Sequence, residues 1–262
     1  MNSSAKILDF PFSSLDSFEI VNLLQDNSLS RRGNLTFKPH VIHFLNAFCI
    51  TQAKSSRKLE ELYNHEVSIN VIDGASLLIV QKLMEKENYS RIRGTDFVRF
   101  LFNESKKREF RIGLIGGSET TISQICENLA LQFPRLRLDY IYTPPFSDVS
   151  LYPIQEIAFE LVRRKIDICL VGIGTPKQDE LAHLLADLTF CDFACIGAAL
   201  NYVSGLNKES PKWISTFGFE WLFRLLSEPR RLWRRYVLGV PRFISLVIFF
   251  YTKKISISLR RN

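Results

Sequence analysis

Four polar or glycine-rich segments follow apolar, β-rich runs, and each holds residue types able to handle a phosphorylated substrate. The first is Asp73-Gly74. A carboxylate held at a strand end can take the proton from an attacking hydroxyl; the same dipeptide is also an ordinary tight turn. The second, Gly113-Leu-Ile-Gly116-Gly117-Ser118, can aim backbone amides at phosphate or simply pack closely. Its spacing is not GxGxxG, and Asp139, the nearest candidate for holding an adenine ribose, falls inside a strand pattern. The third is Gly172-Ile-Gly174-Thr175-Pro176-Lys177-Gln178-Asp179-Glu180, where two glycines end an apolar run and Pro176 suits a first helical turn. Helix capping explains the proline and the acids but not Lys177 and Gln178, which suit a phosphate and the amide-type edge of a base. The fourth is Gly197 through Gly205, in which Asn201 can contact a sugar or nucleotide, or cap local backbone. Arg93-Gly94-Thr95-Asp96 opens a helical pattern, with Thr95 or Asp96 as a cap and Arg93 able to meet a phosphate.

These segments need a frame. Residues 41–45, 67–72, 111–115, 136–141, 166–171 and 193–196 read as strands, and 47–63, 76–86, 119–133, 154–164 and 177–185 as helices. An edge strand near 7–12 and a helix around 17–24 precede them. Apart from Asp167, the run 166–171 is apolar without alternation, as in a strand covered on both faces. Alternating β and α units of this length predict an α/β fold, a Rossmann-like parallel sheet covered by helices. Ligands in such a sheet sit at the carboxyl ends of the strands, where all four segments fall.

The formal net charge of +7 is not evenly spread. Residues 220–262 hold ten Lys/Arg and only two acids, so the rest of the chain is close to neutral. The tail patterns as two amphipathic helices broken by Pro229 and Pro241, followed by the apolar block 243–251 between Arg242 and Lys253-Lys254. A catalytic core over 1–218 and a basic appendage over 219–262 are therefore expected. Aromatic and apolar groups interleaved with cations suit a membrane surface, where cations meet anionic lipid. A nucleic-acid partner fits the apolar block poorly. No apolar run reaches the roughly 20 residues of a span, and residues 1–10 lack a signal-peptide core. The expectation is a cytoplasmic protein, peripheral on the inner face of the membrane. The five cysteines lack metal-ligand spacing and read as buried thiols. His40, His43, His65 and His183 form no metal motif, and no DxD is present to hold a divalent cation against a diphosphate. No metal and no cofactor are expected.

The third and fourth segments, together with Phe219-Glu220-Trp221-Leu222-Phe223-Arg224 through Arg235-Tyr236, resemble the TagA/WecG/CpsF glycosyltransferase family. The family's GxGxPKQE stands here as Gly172-Ile-Gly174-Thr-Pro176-Lys177-Gln178-Asp179, and its GLEWLxRLxxEPxRxxxRY is intact but for Phe219. Asp73-Gly74, Arg93, Asp96 and the turn at Gly116-Gly117 fall in the family's order, so the resemblance covers roughly residues 5–245. It implies an inverting, metal-independent transfer from a UDP-sugar, often UDP-N-acetylmannosamine, to a polyprenyl-diphosphate-linked sugar in cell-surface polysaccharide synthesis. Carried over, Asp73 is the base. Gly74, Arg93, Asp96, Gly116, Gly117, Gly172, Gly174, Pro176, Lys177, Gln178 and Asn201 bind substrate. Asn46 belongs to the catalytic set, and Arg224, Arg231, Arg235 and Arg234 reach the diphosphates. Phe44 replaces the threonine of the family's Thr-x-Asn, and Asn201 replaces an aspartate. Either change could alter sugar specificity or weaken activity. Two other readings remain at this point: a catalytically weakened membrane-bound scaffold, and a nicotinamide-dependent oxidoreductase. The sequence leaves homo-oligomerisation open.

Overall fold

The computed structural model describes residues 5–33, 38–84, 89–134, 136–211, 214 and 220–259. Six parallel strands form one sheet in the order β4-β3-β8-β7-β5-β6. They are β3 (Val41–Leu45), β4 (Ser68–Ile72), β5 (Ile112–Gly116), β6 (Leu138–Tyr142), β7 (Ile168–Gly172) and β8 (Asp192–Cys195). The expected α/β class, with its helix-covered parallel sheet, is what the chain adopts. β3 and β5 are buried along their whole length, because helices cover both faces and period-2 alternation has no solvent face to mark. The edge strand β6 instead mixes buried and exposed positions.

Helices α1 (Ser17–Arg32), α5 (Gly94–Arg108), α6 (Ile122–Gln132) and α9 (Ala199–Val203) cover one face, over a core containing Ile42, Phe97, Leu114 and Leu170. On the other, α7 (Ile154–Arg163) and α8 (Lys177–Ala186) close a core around Val41, Ile157, Val171 and Phe193. A third cluster gathers α2 (Ala47–Ala53), α3 (Arg57–Tyr63) and α4 (Ala75–Met84) with the first two strands.

Several local expectations are corrected. The pattern at 47–63 is two helices, because Ser56 caps α3 by accepting from the Leu59 amide at 3.4 Å. Helix α1 runs eight residues past the expected Leu24, started by an Asp16/Glu19 capping box. The expected edge strand is instead a separate antiparallel hairpin of β1 (Ala5–Ile7) and β2 (Phe10–Phe12). Its turn residues Leu8 and Asp9 both have positive φ, 53° and 70°, the geometry of a tight two-residue hairpin without the usual Asn-Gly signal. Asp167, the exception in an apolar strand, accepts from Ser28 Oγ at 2.7 Å and from the Arg111 amide at 2.8 Å. It thereby ties α1 to the amino ends of β5 and β7.

The tail forms α10 (Glu220–Ser227), α11 (Pro229–Val237) and α12 (Gly239–Leu259). The helix ends at Ser227 just before Pro229, as expected, and the proline opens the next one; Pro241 instead lies in the first turn of α12, where no helical N–H is lost, and breaks nothing. The apolar block is the middle of a 21-residue helix, and Arg235–Lys253 is by length and composition apolar enough to cross a membrane. One side of α12 nevertheless rests on the core: Phe243 is buried, and Val247 and Phe250 pack against the cluster of Ile50 and Leu77. The expected boundary at 218/219 lies outside the described residues.

Candidate active site

The carboxyl ends of all six parallel strands and the appendage line a cavity of about 910 Å³. β3 runs into Asn46, which caps α2 by accepting from the Phe48 and Cys49 amides at 3.1 and 3.4 Å. β4 runs into Asp73, whose own amide donates to Leu45 O at 2.8 Å. Gly74 follows because a Cβ there would stand 2.8 Å from Asn46 Cβ. Asp73 lines the cavity, and its Oδ1 accepts from the Gly94 amide at 3.1 Å. Burial pushes its carboxyl above the ordinary aspartate range; Arg224 and Arg91 oppose the rise and Glu220 adds to it. The carboxylate is thus a stronger base than an exposed one.

The opposite wall is made of glycine turns. Gly172 leaves β7 so close to β8 that a Cβ would meet Gly197 O at 2.9 Å, and Gly174 adopts a φ of +86°. Gln178 is buried behind these turns. Its Oε1 accepts from the Gly174 and Gly197 amides at 3.1 and 3.0 Å, while Nε2 donates to Cys195 O and Thr175 Oγ1 at 3.2 and 3.3 Å. The amide expected to read a base therefore has its polar capacity engaged within the protein and braces the wall instead. Lys177 Nζ donates to Ser147 O at 2.7 Å and holds the loop after β6. Asn201 lines the cavity, and its side-chain amide makes no hydrogen bond among the described residues.

The appendage closes the mouth. Arg224 and Arg235 line the cavity. Arg224 lies over the Tyr202 ring at 4.8 Å. Arg235 Nη2 donates to Asn46 Oδ1 at 3.1 Å and the guanidinium lies 4.4 Å from the Phe48 ring centroid. Asn46 therefore serves as helix cap and as anchor for a cation.

Of the expected residues, Asn46, Asp73, Gly117, Gly172, Gly174, Lys177, Gln178, Asn201, Arg224 and Arg235 line this one cavity. Gly74, Gly116, Asp96, Pro176 and Arg93 are not among its lining residues. Arg93 is instead drawn to Glu220, Asp96 and Glu209, at 3.4, 3.8 and 3.9 Å. Arg231 and Arg234 fall on α11, with side chains outside the described ones. Sequence reasoning missed Phe146, 99% exposed on the loop lining the cavity, and also Arg242, Tyr202 and Tyr236. Only Pro144-Pro145 before Phe146 marks a turn there. A larger depression, about 1380 Å³, lies at the amino ends of the strands. There Arg31 pairs with Asp167 and Asp192, and Arg163 and Arg164 pair with Glu160.

Three of the four histidines gather behind the glycine wall, which their spacing did not announce. His43 Nδ1 lies 2.8 Å from Asp179 Oδ1 and its Nε2 3.3 Å from His183 Nε2. His43, Asp179 and Cys195 place potential ligand atoms within 4.8 Å of one another, and in this structure a hydrogen-bond chain runs through them. Burial, helped by the neighbouring His43 and His65, holds His183 down to about 3. The folded protein keeps His183 neutral while the unfolded chain protonates it near 6.5, so stability is lost as pH falls below 6.5 toward 3. At pH 5 the expected loss from this group is about 2 kcal/mol. Urea titrations from neutral pH down to pH 5 would measure it; a His183→Gln variant with an equally steep decline would exclude His183 as the source.

A model described as the Glycosyl transferase WecG/TagA/CpsF family matches residues 5–256. The N-acetylglucosaminyldiphosphoundecaprenol N-acetyl-beta-D-mannosaminyltransferase of Bacillus spizizenii is 28% identical over 177 residues, 67% of this chain and 66% of that protein. Its counterpart in Bacillus subtilis is 26% identical over 178 residues, with the same two shares. A UDP-Gal:alpha-D-GlcNAc-diphosphoundecaprenol beta-1,4-galactosyltransferase of Shigella boydii is 27% identical over 218 residues, 78% of this chain and 84% of that protein. The chain thus spans just under two thirds of the two Bacillus relatives.

Proposed function

The chain belongs to the WecG/TagA/CpsF glycosyltransferase family, and from that premise we propose that it moves a hexose-type sugar from a UDP-sugar to a polyprenyl-diphosphate-linked sugar. N-acetylmannosamine or a related sugar is the donor group, transferred with inversion and without a metal, in the synthesis of a cell-surface polysaccharide. The reaction takes place at the inner face of the cytoplasmic membrane. The observation that carries the proposal is the pairing, across one cavity, of a carboxylate made more basic by burial with two arginines. Asp73 takes the proton of the acceptor hydroxyl as that oxygen bonds to the anomeric carbon. The bond from that carbon to the β-phosphate oxygen breaks, and UDP leaves with the electron pair. Arg224 and Arg235 neutralise the charge that develops on the diphosphate, the role a metal plays elsewhere.

The three relatives share one acceptor by name, a GlcNAc-diphosphoundecaprenol, and differ in the sugar they transfer. This favours a polyprenyl-diphosphate-linked GlcNAc as acceptor here and leaves the donor to be chosen by the cavity wall. Phe44 and Asn201 both line it. The test is a panel of UDP-sugars offered with a short-chain polyprenyl-diphosphate-GlcNAc, read as UDP release. Acceptor-dependent release from one donor, persisting in EDTA, is expected; release from none would favour the scaffold reading.

Phe146 presents a bare ring at the cavity, the surface on which a nucleobase stacks. Stacking of this kind is worth about 1–3 kcal/mol per base. Phe146→Ala is therefore expected to raise the donor KM about tenfold, with little change in kcat. An unaltered KM would remove Phe146 from the donor site.

A further inference from the structure

We propose that Glu220 is a positioning residue for the catalytic centre: one appendage carboxylate joins Arg91 and Arg93 of the core to Arg224 and sets where the Arg224 charge stands beside Asp73. This rests on the reading of Asp73 as the base. Glu220 opens α10 and is buried, where a carboxylate persists only with partners. Its Oε2 lies 2.9 Å from Arg91 Nη2 and 3.4 Å from Arg93 Nε, and its Oε1 receives Arg224 from one turn along the helix. Burial works against its ionisation, yet Arg224, Arg93 and Arg91 together hold its carboxyl below the ordinary range.

Arg91 gives the network its reach. It follows β4 in space through a parallel bridge with Ile72, and its Nε donates to the carbonyl of Asp73 at 2.6 Å. One guanidinium therefore touches the backbone of the base and the carboxylate of the appendage. Docking alone is served elsewhere: Glu228 accepts from Tyr202 OH and Asn207 Nδ2 at 3.2 and 3.1 Å, and those contacts do not involve Asp73. Among the described residues, the groups facing Asp73 are Arg91 from the α4–α5 connection, the Gly94 amide at the start of α5, Glu220 and Arg224 from α10, and Tyr236 from α11. Among them Glu220 is the anion that raises the basicity of Asp73, while both arginines lower it.

The experiment compares full-length Glu220→Gln, Glu220→Asp and Glu228→Gln by UDP release with a short-chain lipid-diphosphate acceptor across the acid range. Glu220→Gln is expected to lower kcat about tenfold or more while the donor KM stays within about threefold. Its acid limb moves to lower pH, because the anion that raised Asp73 is gone. Glu220→Asp and Glu228→Gln keep the limb where it was. In an Arg224→Met background, Glu220→Gln costs less than about twofold more in the plateau kcat, since that part of its effect runs through Arg224. Wild-type kcat and acid limb in Glu220→Gln would overturn the proposal, as would full additivity with Arg224→Met or an equal limb shift in Glu228→Gln. If Glu220→Gln does not fold, wild-type kcat in Glu220→Asp would overturn it too, because the shorter side chain misplaces Arg224. An inactive Asp73→Asn beside a wild-type Glu220→Gln would sink this inference alone; an active Asp73→Asn would sink the base assignment beneath it.

Discussion

Asp73→Asn is expected to lower kcat by about 10²–10⁴-fold, the range for removal of a general base, with donor binding little affected. The amide preserves shape, and the Gly94 N–H that Oδ1 accepts at 3.1 Å can still be accommodated by a carbonyl oxygen. The loss is therefore chemical rather than structural. The same carboxyl sets the pH dependence. It is raised by burial, against the pull of Arg224 and Arg91, so kcat/KM is expected to fall with acid at a pH above the ordinary aspartate value. Kinetics with a water-soluble acceptor, at saturating donor, read both effects. A variant that turns over at the wild-type rate would transfer the role to another group or to the acceptor itself.

The second large effect concerns where the protein works. Ile244, Ile248 and Phe249 stand on the exposed side of α12 while Phe243 is buried on the other. Trp221, Trp233 and Leu238 of the appendage are exposed as well. Replacing Ile244, Ile248 and Phe249 together by Asp is expected to lower partitioning onto anionic vesicles by about 100-fold or more. Each side chain forfeits roughly 1.5–3 kcal/mol of apolar burial, and each new carboxylate repels the anionic surface. Because the inward face keeps its packing, kcat with a soluble acceptor should hold within about twofold. Sedimentation with vesicles separates the cases. Undiminished binding would mean that another face meets the lipid, and resistance to carbonate extraction would mean that α12 inserts across the bilayer.

Much of this was legible in the chain. Six strand runs and the carboxyl-end rule sufficed to bring Asp73, Gly172–Gln178 and Asn201 to one place, because a parallel sheet gathers its strand ends whatever lies between them. The basic tail announced itself by charge. The appendage's exact placement did not, since it depends on pairs far apart in sequence, such as Arg235 with Asn46 and Glu220 with Arg91. Arg93 shows the limit most clearly: an arginine near a strand end reads as a phosphate ligand, and only the fold reveals that Glu220 occupies it. The hairpin turn at Leu8-Asp9 was hard to read because Leu8, unlike Asp9, is not a residue that favours positive φ. For Phe146 the two preceding prolines announce a turn but nothing announces a binding role. The family match also disposes of the oxidoreductase reading.

One oxygen of Gln178 accepts from two amides that belong to different strand-end turns, Gly174 after β7 and Gly197 after β8. The two turns are pinned to one side chain: opening either breaks its bond to Gln178, and a shift of Gln178 releases both. The core wall of the cavity is therefore cross-braced by a single buried side chain, so a change at Gln178 is felt at two strand ends at once.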